Sequence, residues 1–298
     1  MAASPETIED LRRPQERSGW TASIAKFVRQ RPLGAVGAAI ILAMTVTGVM
    51  AGLLAPYDPL ATDYAAMLSP PSRSHWLGTD SFGRDVLSRM IYGSRTALLV
   101  GLGASFIGAT LGSIIGVASA YFGGRVDLIV QRVMDIFFAF PVIILALAVV
   151  AILGTGLGNV ILAIATPMVP RCARVVRSSA LSVREMPYVD AARASGFSHS
   201  RIILRHMLPN VMAPILIMAT AFLGEAILLE ASLSFLGLGV NEPTAAWGLM
   251  LRGAAVEFAE SAPWMAFFPG LAISMAVFGF NLFGDSLRDA LDPRLRTQ

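Results

Sequence analysis

Three observations predict an all-α polytopic membrane protein with six transmembrane helices. Of its 298 residues, 55% are hydrophobic and only 14% are charged, against about 25% charged in soluble domains. Several apolar runs exceed the roughly 20 residues needed to cross about 30 Å of hydrocarbon. The basic residues also gather on alternate connections, the asymmetry that orients a chain in a bilayer.

The first span is predicted at about Leu33–Ala55, an uncharged stretch after Lys26, Arg29 and Arg31. It is too long and begins too late for a cleaved signal sequence, so it reads as a retained anchor. Residues 1–18, polar and carrying Pro5 and Pro14, are expected to be disordered. The second span covers about Ala97–Phe122, where Gly108 and Gly112 recur at the four-residue spacing of closely packed membrane helices. The third runs over about Ile136–Leu157, and Phe137, Phe138 and Phe140 before Pro141 point to a packed, kinked span. The fourth, about Gly158–Val176, enters a basic region at Arg171, Arg174 and Arg177. The fifth extends from about Pro209 to Gly237 and the sixth from about Ala262 to Gly284.

Eighteen of the 23 Lys and Arg residues fall in the N-terminal tail, the connections after the second and fourth spans, and the C-terminus. Only Arg73, Arg84, Arg89, Arg95 and Arg252 fall on the other side. Both termini are therefore expected in the cytoplasm. Topology accounts for the net charge of +3, and no nucleic-acid partner is inferred from it.

The composition also narrows the chemistry. One cysteine, Cys172, permits no internal disulfide, and the three histidines are scattered at 75, 199 and 206. A His/Cys metal cluster has almost no material. The only lysine, Lys26, follows no Gly-rich loop, so a phosphate-cradling ATPase loop is absent. No cofactor is expected, and the chain does not read as an enzyme.

The most informative segment lies between the fourth and fifth spans. Pro187 is placed for the first turn of a short helix, and Val189–Ser195 carries the good helix formers Ala191, Ala192 and Ala194. Gly196 suits the left-handed residue that ends it. Arg201–His206 then forms a second amphipathic stretch leading to Leu208-Pro209, where proline opens the fifth span. A bare alanine face on a basic membrane surface can be approached closely by a partner's groove.

Asp190-Ala191-Ala192-Arg193, then Gly196, then Arg205-His206-Met207-Leu208-Pro209 resembles the coupling motif of ABC importer permeases. That motif is Glu-Ala-Ala, three residues, Gly, nine residues, Ile-x-Leu-Pro. The spacing matches, with Asp190 in place of Glu and His206 in place of Ile. Arg205-His206-Met207-Leu208-Pro209-Asn210 is similar to the peptide-importer branch. His75-Trp76-Leu77-Gly78-Thr79-Asp80 through Arg89, and Ala231-Ser232-Leu233-Ser234-Phe235-Leu236-Gly237 with Trp247-Gly248 beyond it, resemble segments of the "C"-type permeases for dipeptides, oligopeptides and nickel.

The resemblance covers about residues 30–290 and implies a type I ABC importer transmembrane domain in a bacterial inner membrane. It implies a cytoplasmic tail over 1–32, a first transmembrane helix over 33–55 and a periplasmic segment over 56–94. A five-helix core over 95–290 would hold the cytoplasmic coupling loop 177–209, with a second tail over 291–298. The implied partners are a paralogous "B"-type permease, two ABC ATPase subunits, a periplasmic or lipid-anchored substrate-binding protein, a peptide substrate and membrane lipid. The ATPases would dock on Asp190, Ala191, Ala192, Arg193, Gly196, Arg205, His206, Leu208 and Pro209.

Six other residues invite attention. Asp80/Arg84 and Asp85/Arg89 stand at i, i+4, so two ion pairs on one helical face are expected. That face either meets the binding protein or gates the path, or it staples an interfacial helix to its own spans. Glu225 and Glu230 interrupt the fifth span, and charges at that depth face a cavity or a partner. They either line the translocation path or pair with arginines of the sister permease, unless Glu230 lies near the outer surface. Nickel, glutathione or another small solute remain alternative cargoes. An ATP-independent secondary transporter or channel is the competing class, and it predicts internal repeats and buried ion-binding residues; the sequence has no clear repeat and few such residues.

Overall fold

A computed structural model describes residues 28–291. The N-terminal segment read as disordered lies outside these residues, as do Lys26 and the arginines at 294 and 296. The described residues are helices and connections, with one isolated bridge between Thr79 and Asp85.

Helix α1 (Pro32–Val49) starts with proline at its first position, where the missing N–H costs nothing. One further turn, Ala51–Leu54, completes the span expected at 33–55. Helix α2 (Val86–Phe122) starts eleven residues before the expected second span, because Asp85 caps it by accepting a 2.8 Å bond from the Ser88 N–H. Its 37 residues reach about 55 Å at 1.5 Å per residue, longer than the roughly 30 Å of a bilayer core.

The expected third span is not one rod. Helix α3 (Gly124–Phe138) and helix α4 (Val142–Leu153) meet at a 92° bend. Pro141 supplies no N–H, and its ring disfavours helical backbone at Phe140. Twelve residues of α4 reach only about 18 Å, too short to cross alone. Among the described residues, five helices are long and apolar enough to span, and the α3–α4 pair brings the number to six if it is counted as a single broken span.

Helix α5 (Leu157–Arg184) runs past the expected end at Val176 despite Pro167 and Pro170. Four of the arginines assigned to the basic loop therefore belong to a helix. Helix α6 (Pro187–Ala194) follows. The chain then makes one α-turn (His199–Ile202), a π-helical segment (Ile203–Met207) and a 3₁₀ turn (Leu208–Val211) before helix α7 (Met212–Phe235). Pro209 thus sits in the 3₁₀ turn and not in the spanning helix itself. Helix α8 (Trp247–Glu257), which the periodicity did not single out, precedes helix α9 (Trp264–Leu291).

The closest pairing joins α2 to α5. Gly108, Gly112 and Gly116 form one stripe facing α5, and a Cβ at Gly112 would stand 2.5 Å from Cys172 Cβ and 2.7 Å from the Val169 carbonyl. The absent side chains let two backbones meet, and dispersion between them replaces lipid contact. Val100, Ala104, Val117, Ile164 and Met168 of these two helices are buried in the same core, with Phe222 of the helix Met212–Phe235. Gly37 of α1 and Gly279 of α9 make a second close crossing.

Candidate functional site

At the C-terminal end of α2, the loop between α5 and α7 is folded tightly against the bundle. Arg184 donates from Nη1 to the Ala120 carbonyl at 3.0 Å, tying the end of α5 to the end of α2. After this tie the chain turns and α6 begins at Pro187. Val189 and Ala192 point inward and are buried, while Pro187, Asp190, Ala191 and Ala194 lie exposed on the opposite face. The alanine face expected from sequence is therefore split: Ala192 packs into the protein, and Ala191 and Ala194 remain available. Asp190 and Arg193 pair at 3.0 Å along the exposed side, and Arg193 also lies 5.3 Å from the Tyr121 ring centre.

Gly196 terminates α6 with φ +71°, and no atom lies within 4 Å of where its Cβ would be. The Phe197 N–H bonds to the Ala192 carbonyl and the Gly196 N–H to the Arg193 carbonyl, the Schellman arrangement that satisfies the last carbonyls of a helix. The chain then reverses so that Phe197 stacks on His206 at 6.0 Å and 17°. Tyr188 approaches the same imidazole from 6.4 Å, and Arg201 covers Phe197 at 4.1 Å. A planar ring at 206, where the family motif has isoleucine, thus holds both ends of α6 to the segment leading into α7. Met207 is buried and Leu208 half-buried, whereas Arg205 and Pro209 are exposed. The Tyr121 hydroxyl and His199 Nδ1, 2.7 Å apart, anchor the loop to α2. Sequence reading missed Tyr121, Phe197 and His199 as parts of this support, since nothing in their spacing announces the contact.

A ladder of charges rises along α5 from this end. Arg177 holds Asp127 of α3 through two hydrogen bonds, one of 2.5 Å from Nε, and Ser119 donates to the same carboxylate. Arg174 pairs with Asp135 at 2.6 Å and covers the Phe138 ring at 4.0 Å. Arg171 pairs with Glu225 of α7. The three arginines repeat every three residues on one helix, a signal visible in the sequence, while their partners come from two other helices. Glu225 is thus paired within its own chain and needs no sister subunit for that purpose. Glu230 is 2% exposed and accepts a 2.7 Å bond from Ser234 Oγ, so its carboxylate is enclosed within the chain in this conformation.

The segment before α2 departs further from expectation. Residues 78–85 form a tight loop and not a helical face. Asp80 receives Arg84 Nε at 2.6 Å together with the backbone N–H groups of Phe82 and Arg84 at 2.8 and 2.9 Å. Asp85, spent on capping α2, pairs with His75 Nδ1 at 3.0 Å and not with Arg89. Arg89 instead points to the Pro59 carbonyl at 3.2 Å, to Asp80 at 3.7 Å and to Glu242 at 3.8 Å. Arg84 reaches Glu242 at 3.1 Å. Asp80, Arg84, Arg89 and Glu242 line a cavity of about 540 Å³ at the N-terminal end of α2, the end opposite α6. Glu242 is the member that sequence reading did not find, because 153 residues of chain separate it from Arg89 while the fold closes the gap.

Among the described residues no three His, Cys, Asp or Glu side chains gather in a metal-holding arrangement. The bundle thus presents a short exposed helix at one end and a charged cavity at the other. Residues 97–297 match the family described as binding-protein-dependent transport system inner membrane component, and residues 20–71 match the N-terminal transmembrane domain of oligopeptide transport permease C. The chain belongs to this family of inner-membrane permeases. It is 45% identical to the dipeptide transport system permease protein DppC of Alkalihalophilus pseudofirmus, across 91% of this chain and 89% of that one. It is 40% identical to the glutathione transport system permease protein GsiD of Pectobacterium atrosepticum, across 98% and 96%. A putative peptide transport system permease of Brucella suis is 43% identical, with 92% of each chain covered. Its fold is shared with a chain of the MetNI methionine ABC transporter solved in inward-facing conformations, at a TM-score of 0.55 and 20% identity over 68% of this chain and 96% of that one.

Proposed function

We propose that this chain is one of two transmembrane subunits of an ATP-driven, binding-protein-dependent importer of di- and oligopeptides. The observation that carries the reading is α6: a short helix with a small, exposed face, locked from behind by His206 stacking and ended by a left-handed glycine. Such an element transmits a push, because its own support is rigid while its outer face accepts a groove. Asp190, Ala191 and Arg193 would meet an ATPase subunit, with Arg205 and Pro209 exposed beside them. Gly196, His206 and Leu208 would hold the helix in place, as would Ala192, which is buried.

The basic end carrying α6 faces the cytoplasm by the excess of Lys and Arg there. ATP-driven approach of two ATPases would draw this helix toward its counterpart on a paralogous permease and rock the spans between inward- and outward-open states. ATP hydrolysis would belong to those separate subunits, and a soluble or lipid-anchored binding protein would deliver substrate at the cavity end. The relatives named for dipeptides, peptides and glutathione favour a short, amide-linked, carboxylate-bearing cargo.

The test is to tag the chain, extract it gently from its native membrane and identify what co-purifies. A second permease with one or two ATPases supports the reading. Isolation of the chain alone, moving solute in liposomes without ATP, refutes it.

A further inference from the structure

The cavity before α2 has more cationic than anionic groups. Arg84, Arg89 and Arg252 line it, against Asp80 and Glu242. Asp80 is already committed, holding Arg84 and two backbone N–H groups of its own loop. Arg89 is 1% exposed; its Nε makes no hydrogen bond and faces Asp80 Oδ2 at 3.7 Å, beyond hydrogen-bond reach. Arg252 has no carboxylate partner among the described residues, and its guanidinium is packed over Gly237, where a Cβ would stand 2.5 Å from Nη1. Glu242, with its side chain 52% exposed, touches Arg84 and Arg89 only at the rim, at 3.1 and 3.8 Å.

We propose that this cavity receives the terminal carboxylate of a short peptide, and that Glu242 is a tethered carboxylate occupying its place until one arrives. The inference rests on the importer reading above. Arg252, without a carboxylate partner among the described residues, and the surplus of guanidinium groups call for one more carboxylate. Apart from Ser81, the remaining wall is apolar, with Leu249, Met250, Phe258 and Met265. It suits a carboxylate attached to a carbon chain better than inorganic phosphate. A volume of about 540 Å³ lies within the usual range of about 300–1,000 Å³ for small-ligand sites. Displacing Glu242 would free the segment that carries it, which joins α7 to α8, so arrival of cargo would be felt by two helices of the bundle.

The test uses the intact complex in lipid nanodiscs without binding protein, titrated with N-acetyl-alanine and with its amide. The acid is expected to bind and the amide not to. Arg252→Gln, at an exposed position, is expected to weaken binding of the acid about tenfold, as loss of a charge-assisted hydrogen bond does. Glu242→Gln is expected to tighten it several-fold, since the competing carboxylate is gone. Opposite signs for these variants separate the proposal from a merely structural role. Equal binding of acid and amide, or weaker binding in Glu242→Gln, overturns it. So does a complex that binds no acid yet holds its binding protein less tightly in Arg252→Gln, because the arginines then serve a protein side chain. Peptide import without binding of the acid would sink this proposal and leave the importer reading standing. Binding of the acid with the expected variant pattern, in a complex that imports no peptide, would do the reverse.

Discussion

The glycine that ends α6 offers a sharp test of why the loop has its sequence. Gly196 has φ +71° and no atom within 4 Å of where a Cβ would stand, so an alanine there meets no clash within the chain and acts through the backbone alone. Holding an ordinary L-residue in the left-handed region costs about 1–2 kcal/mol. That lowers the population of the capped state roughly 5- to 30-fold. Asparagine tolerates this conformation better than alanine does, and a β-branched side chain tolerates it worst. ATP hydrolysis stimulated by the binding protein, and uptake into proteoliposomes, should therefore fall in the order Gly, Asn, Ala, Val. The thermal transition of the transmembrane bundle should move little, since α6 contributes only Val189 and Ala192 to the core. If Gly196→Ala works as well as wild type while Gly196→Asn fails, bulk and not backbone conformation is what the site resists. Full coupling in Gly196→Val would remove α6 from the transmission path altogether.

Three further outcomes are expected. Ala191→Trp, on the exposed face of α6, should leave the melting temperature unchanged and abolish ATPase co-purification, whereas Ala192→Trp, aimed into the core, should lower accumulation of the folded chain itself. Gly112→Leu should destabilise by about 1–3 kcal/mol or more, as overpacking does, because even its Cβ would meet Cys172 and the α5 backbone; an unchanged unfolding temperature in detergent would contradict the close crossing. Glu225→Gln should slow uptake by leaving Arg171 unpaired, and the Arg171→Gln/Glu225→Gln double variant should lose less stability than the sum of the singles, with a coupling of about 0.5–3 kcal/mol; strict additivity would mean that the pair does not form.

Much of this protein was legible in its order of residues. Long apolar runs determine spans because a backbone in hydrocarbon must satisfy its own hydrogen bonds, and that constraint needs no tertiary information. The glycines at 108 and 112 announced a close crossing, and Pro187 and Gly196 bracketed α6, since proline and glycine act on the local backbone. The partners of charges were not legible. Asp85 looked like a mate for Arg89, but capping α2 is a local use of the same carboxylate, and it leaves Arg89 to Asp80 and Glu242. Arg171, Arg174 and Arg177 read as loop charge, yet they stand on α5 and reach Glu225, Asp135 and Asp127 on other helices. Which face of α6 holds its alanines, and that His206 stacks behind it, likewise depended on the packing. Spans and caps follow from interactions within a few residues, whereas ion pairs and cavities form between residues that only the folded chain brings together.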